Sequence, residues 1–222
     1  MISVVRTQTG NINGASSGNI TLDCTGGDFV VIGWSAFDAL LTNRTASGVT
    51  VGGSAGTLVA GSKADNAVST GQAQLAYYIA PATGNQTVTL TMGGSVTNVD
   101  WYATLLSGAK QSAQPDTSGA NTTIAGTSCA VTVTTNTDNC LLLDAMNGNA
   151  GPMTPNGAQT SVMDASGSTG RGSYKAVGAA GSHSMTYTTG GNDEYALGVI
   201  AVADAGAKIK DIIGNGIVPF PR

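Results

Sequence analysis

Residues 75–92 read LAYYIAPATGNQTVTLTM, and no other stretch narrows the choice of fold as much. Before the Pro-Ala-Thr-Gly-Asn segment, Leu75, Tyr77 and Ile79 share one parity while Gln72, Gln74 and Tyr78 hold the other; after it, Val88, Leu90 and Met92 alternate with Thr87, Thr89 and Thr91. A side-chain period of two belongs to β-strands, because successive Cβ atoms point to opposite faces of the sheet. Two such runs around a Pro/Gly/Asn turn predict a hairpin with one core face and one wet, Thr/Gln-rich face.

Two further segments, FVVIGWSAF at 29–37 and YALGVIAVA at 195–203, are apolar on both parities. Strands covered on both sides have this pattern, so both are expected near the centres of sheets. Shorter strand-like runs, among them Ser3 to Thr7, Val99 to Leu106, Ala130 to Thr134, Leu141 to Met146 and His183 to Thr188, are separated by turn residues at sandwich-like spacing. No amphipathic helix of ten or more residues competes. Only 10% of the residues are charged, Gly numbers 32, and there are twelve Asp but a single Glu, Glu194, which suits strands and tight turns rather than surface helices. The chain of 222 residues is therefore expected to form an all-β, two-sheet antiparallel sandwich over 1–205, followed by a C-terminal tail over 206–222. The longest loops are expected at 146–160 and 164–173.

A net charge of -4 without a Lys/Arg stripe argues against nucleic acid as a partner. The start MISVVRTQTG has no apolar segment of signal-peptide length and no run of about 18 apolar residues occurs, so neither export through a signal peptide nor a membrane partner is expected. Cys24, Cys129 and Cys140 form no CxxC spacing; Cys129 and Cys140 flank a turn-like segment, but buried free thiols are the simpler expectation. With His183 as the one histidine, a His-rich zinc site is excluded.

GASSG at 14–18 and GGSAG at 52–56 match the nucleophile-elbow pattern, yet neither is followed by a helical pattern, and turns are expected at both. Asp100, beside Trp101 and Tyr102, is the best single carboxylate for glycoside chemistry but has no identifiable mate in the sequence. Asp23, Asp28 and GGNDE at 190–194 supply oxygen ligands of the kind calcium uses, with no spacing that defines a site; no cofactor is expected. Most aromatic residues fall in apolar strands, and Tyr78, Tyr102 and Tyr174 are the ones expected to be exposed, where they would contact a glycan. Four Asn-x-Thr sequons, at 19, 43, 85 and 121, are expected accidents of an Asn/Thr-rich chain.

The tail contains a helical turn, AKIKDII, then Gly-Asn-Gly and an extended apolar end. Ile209, Ile212, Ile213, Ile217, Val218 and Phe220 form an apolar set of the kind that docks on a neighbour or on the body itself.

The order LAYYIAPATGNQTVTLTM, VDWYATLLSGAKQSAQPDTSGANT, a Thr-rich strand, CLLLDAM and YALGVIAVADA resembles an all-β domain of tailed-bacteriophage virion proteins, over roughly residues 1 to 205. The resemblance implies a jelly-roll-like sandwich used without chemistry, as a capsid decoration, head-fibre or tail-associated part. On that basis the expectation is a non-enzymatic virion protein, made in the host cytoplasm, that binds the major capsid protein or other virion proteins through the tail. Self-association, with a trimer suited to a capsid site, is expected as well. The alternative is a lectin-like or receptor-binding module.

Overall fold

The computed structural model describes residues 1–40, 42–66, 71–148, 153–164 and 170–206. The first half of the chain contributes β1 (Ser3–Ile12), β2 (Ala15–Asp23), β3 (Phe29–Phe37), β4 (Ala46–Val51), β5 (Ser54–Ala55), β6 (Thr57–Leu58), β7 (Ala64–Asn66), β8 (Gly71–Ile79), β9 (Asn85–Val96) and β10 (Asn98–Ser107). One sheet runs β1-β10-β3-β8-β6 with β7 also on β8, and the other runs β2-β9-β4-β5. The first two strands form a ribbon with the last two and bend together from one sheet into the other. Pairing passes from Ile12↔Val99 in the first sheet to Ala15↔Val96 in the second, across Gly14 at φ 64. A positive φ at the bend favours the residue without a Cβ. This interleaving of strands between two sheets is that of a jelly roll.

The second half contributes β11 (Thr117–Thr135), β12 (Leu141–Gly148), β13 (Met153–Pro155), β14 (Thr160–Asp164), β15 (Gly170–Ala176) and β16 (Gly181–Val202). β11 and β16 pair from Thr117↔Ala201 to Thr135↔Gly181, with the ladder irregular between Thr123 and Ser128. Drawn out straight, such a ribbon would extend about 60 Å. Yet residues 136–140, which reach about 20 Å at most, return the chain to β12, whose Leu141 pairs with Val202 at the ribbon's starting end. The ribbon must therefore fold in half, and side-chain contacts show that it does. Asp116 accepts the Asn136 N–H at 2.6 Å, Asn121 Nδ2 donates to the Ala130 carbonyl at 3.0 Å, and a Cβ on Gly119 would lie 2.9 Å from Val133 Cγ1.

Folding the ribbon splits the second half into two layers. Residues 117–123, residues 195–202, β12 and β15 lie side by side in one; residues 128–135, residues 181–188 and β13 form the other. These neighbours repeat β1-β10-β3-β8 and β2-β9-β4 of the first half. The chain is all-β and sandwich-like as expected, but where one two-sheet sandwich was expected over 1–205 it carries the jelly-roll order twice, once in each half. The two inner sheets stand back to back, giving three buried cores. The first, around Trp34, Trp101, Leu22 and Leu90, fills the first sandwich; a central one, around Phe29, Val31, Tyr102, Leu143 and Ile200, joins the halves; the third, around Leu142, Met146, Met185 and Leu197, fills the second sandwich. β3 and the 195–202 part of β16 are inner strands with a core on each side, which is why both stretches are apolar on both parities.

The hairpin expected around Pro81 does not form. β8 pairs with β3, β6 and β7, whereas β9 pairs with β2 and β4, so the two runs are consecutive strands in opposite sheets. Their connection is held to the turn between β2 and β3, through Ala80 N–H to the Asp28 carbonyl at 2.8 Å and Cys24 N–H to the Gly84 carbonyl at 2.8 Å. Only β9 has the expected wet Thr face. In β8 Gln72 and Gln74 are buried as well, because this strand belongs to an inner sheet.

Tyr102 sits at the middle of the central core, wholly buried, and its hydroxyl donates to the Asp144 carbonyl at 2.8 Å across the two sandwiches. Glycines flank the ring: a Cβ on Gly33 of β3 or on Gly172 of β15 would lie 2.5 or 2.6 Å from Tyr102 Cε1. Replacing Tyr102 by Phe should destabilise the fold by about 1 kcal/mol, and by Ala about 3–5 kcal/mol. Gly172→Ala, which drives a methyl into the ring, should cost about 1–3 kcal/mol in denaturant unfolding; a neutral result would mean that the ring is not confined there.

Candidate functional site

The structure distributes the residues nominated from the sequence unevenly. Tyr102 was expected at the surface and is completely buried, because the inner sheet that carries it is covered by the second sandwich. Tyr78 is half-buried against the first core and Tyr174 half-buried against the central one. Ser54 is exposed in β5 and leads into β6, and Ser16 lies within β2, so neither serine stands at a strand-to-helix turn. His183 uses a ring nitrogen on the Ala179 carbonyl at 2.8 Å. Cys24, Cys129 and Cys140 are free and buried, and burial pushes all three thiols up, with the negative charge of Asp144 adding to the effect on Cys129. Ile209, Ile212, Ile213, Ile217, Val218 and Phe220, and the AKIKDII turn, lie outside the described residues.

The carboxylates offered for calcium serve other ends. Asp23 pairs with Arg6 and accepts the Thr25 N–H, contacts that hold its carboxyl below the usual range, with the Thr25 hydrogen bonds contributing most. Asp28 accepts the Gly108 N–H at 2.9 Å and the Ala109 N–H at 3.3 Å, which fastens the start of the connection between the sandwiches. Among the described residues no three His, Cys, Asp or Glu side chains gather as a metal would require.

Asp100 is the nominated residue that does face a cavity. A recess of about 330 Å³ opens at the seam of the two sandwiches, lined by Thr9, Gly10, Asn11 and Asp100 from the first and by Met163 and Asp164 from the second. Ladder register explains the first wall: Asn11 of β1 lies opposite Asp100 of β10. Asn11 Nδ2 donates to Asp100 Oδ1 at 2.8 Å and to Asn98 Oδ1 at 2.7 Å, while Asn98 Nδ2 reaches Asp100 Oδ2 at 3.3 Å. Asp100 is only 6% exposed, so these amides fix a nearly buried carboxylate. Opposite, Asp164 is exposed at the end of β14 and paired with Arg171 Nε at 3.2 Å, and Arg171 also donates to the Gly170 carbonyl. Gly170 lets β15 approach closely, since a Cβ there would lie 2.7 Å from that of Asp100. A second carboxylate, Asp164 on the other sandwich, lines the same recess.

A second polar cluster, unforeseen from the sequence, is closed to solvent. Asp144 of β12 is 0% exposed and points into the third core. Its Oδ1 accepts the Ser173 N–H at 2.7 Å and the Tyr187 hydroxyl at 2.8 Å, and its Oδ2 accepts the Ser173 hydroxyl at 2.8 Å. Gln159 donates in turn to the Ser173 oxygen at 2.9 Å. Burial raises the Asp144 carboxyl to about 7, against the opposing pull of these three donors. The signal was present in CLLLDAM, an acid within a run otherwise apolar. A carboxyl that binds its proton more tightly when folded favours the fold below its unfolded value, near 4, and loses that contribution as pH rises through about 7. The stability of the native chain relative to Asp144→Asn should therefore fall by a few kcal/mol between pH 4 and pH 8 in urea unfolding. A pH-independent difference would show that Asp144 binds its proton no more tightly in the folded chain than in the unfolded one.

A scan against protein-family models finds no match to this chain, and a search of the curated proteins finds none either.

Proposed function

We propose that the chain is a non-enzymatic structural protein of a tailed-phage particle, attached to the outside of the capsid as a decoration protein. The observation that carries this reading is the tandem jelly roll itself. Jelly-roll sandwiches recur in viral capsids, though also in lectins and other proteins, and fold alone does not fix a role. Two rolls joined through a shared core make a stiff block, a shape suited to a building part. The strand-pattern resemblance to virion proteins points the same way, and on this proposal the partners are the major capsid protein or other virion proteins and further copies of the chain, a trimer among them.

On this proposal the tail, residues 206–222, is the docking segment, and the geometry of the end of the body sets where it begins. Asp204 pairs with the Met1 amine at 2.6 Å, bridges to Ala109, and is followed by Ala205, whose N–H reaches the Gly108 carbonyl at 2.9 Å. The segment beyond residue 206 therefore starts from a point pinned to the inter-sandwich connection. A chain ending at Gly206 keeps these contacts and should unfold cooperatively like the full chain, while failing to sediment with purified particles. Undiminished co-sedimentation of the shortened chain would remove the tail from the mechanism; failure of the full chain to sediment with particles would remove the particle reading altogether. The alternative, a carbohydrate-binding module, draws on the seam recess.

A further inference from the structure

We propose that the recess between Asn11, Asp100 and Asp164 binds one neutral sugar unit, the terminal residue of a glycan, through its vicinal hydroxyls. This goes beyond the structural role proposed above and does not depend on it. It also moves the glycan contact away from Tyr78, Tyr102 and Tyr174 to a place where both sandwiches contribute. Ligand sites favour such junctions, and about 330 Å³ lies at the lower end of their size range, room for a single ring rather than an oligosaccharide.

The chemistry of the walls selects the ligand. The Thr9 hydroxyl, the Asn11 amide and the Asp100 and Asp164 carboxylates line the recess, and the Arg171 guanidinium stands behind Asp164. Both N–H groups of the Asn11 amide are engaged by Asn98 and Asp100, so a pair of neighbouring hydroxyls donates to a carboxylate and accepts from the Thr9 hydroxyl, and hydrogen bonds to an ionised acceptor are the stronger kind. Two carboxylates against one guanidinium leave a net negative wall, which disfavours acidic sugars and phosphates. Arg171, in turn, disfavours a metal ion. Met163, 2% exposed, closes the back of the recess with apolar atoms. Asp100 is already held by Asn11 and Asn98, so little side-chain freedom is lost when a ligand arrives.

Saturation-transfer NMR of the full chain with methyl glycosides of glucose, galactose, mannose and N-acetylglucosamine, with N-acetylneuraminic acid as the acidic control, tests the site without any particle. The expected result is transfer to at least one neutral glycoside, insensitive to EDTA and absent for the acidic sugar. Asp164→Asn changes an exposed side chain and should fold normally while weakening that binding about tenfold, the equivalent of one charge-assisted hydrogen bond. Asn11→Ala should weaken it similarly, and Tyr78→Ala should leave it unchanged. No transfer to any neutral glycoside overturns the proposal, as does full binding in both Asp164→Asn and Asn11→Ala, or binding that EDTA removes.

Discussion

The packing of the Tyr102 ring between Gly33 and Gly172 marks the constraint on which the rest of the molecule depends: two inner sheets, each apolar on both faces, must cover one another. A lone first sandwich would leave Phe29, Val31, Leu75 and Leu106 facing water, and a lone second one Leu141, Leu143, Ile200 and Val202. Burying side chains of this size contributes roughly 1.5–3 kcal/mol each, which is large against the marginal stability of any single domain. The halves are therefore separate as topology and joined as thermodynamics. The connection between them reinforces the union, since Gln114 donates to the Ala203 carbonyl and accepts the Ala203 N–H, while the Tyr77 hydroxyl reaches the Gln114 carbonyl.

A fold in which strands change sheet repeatedly has many backbone groups that no ladder satisfies. The large excess of Asp over Glu follows from that need. Asp23, Asp28, Asp38, Asp116, Asp138, Asp144 and Asp204 each accept a backbone N–H, at Thr25, Gly108, Leu40, Asn136, Ala180, Ser173 and Gly206 respectively. Asp has one methylene fewer than Glu, so its carboxylate stays close to the main chain and suits these turns. Asp38 shows the economy of the device: one oxygen holds its own turn at Leu40, and the other accepts the N–H and hydroxyl of Thr97, where β9 passes into β10. Acidic composition here is a consequence of topology.

Period-two patterning made the strands legible, and apolar runs on both parities correctly placed β3 and the end of β16 inside. The same signal says which face a side chain takes and nothing about which strand lies beside it. That is why β8 and β9 read as a hairpin when they belong to different sheets. The doubling of the fold was equally hidden. Val30, Ile32 and Trp34 of β3 face the first core where Leu142, Asp144 and Met146 of β12 line the second sandwich, so alternation is kept without residue identity. The recess was half legible: Asp100 stood out beside two aromatics, but Asp164 reaches it only through the packing of one sandwich on the other.

The two rolls, alike in strand order, differ in what fills them. The first core is built around Trp34, paired across the ladder to Trp101, with Gln74 of β8 buried beside Trp34. The second places a carboxyl and two hydroxyls at its centre, in Asp144, Ser173 and Tyr187, which the half-buried Gln159 amide joins from the edge. A connected polar network of this kind fixes one arrangement of its members, since any slip leaves a buried group unmatched. It also puts a carboxyl that burial raises inside the second roll. The Tyr102 hydroxyl rests on the backbone carbonyl of Asp144, so the residue at the heart of this network also touches the central core. The polar network of one sandwich is thereby joined, through a single residue of β12, to the packing of both.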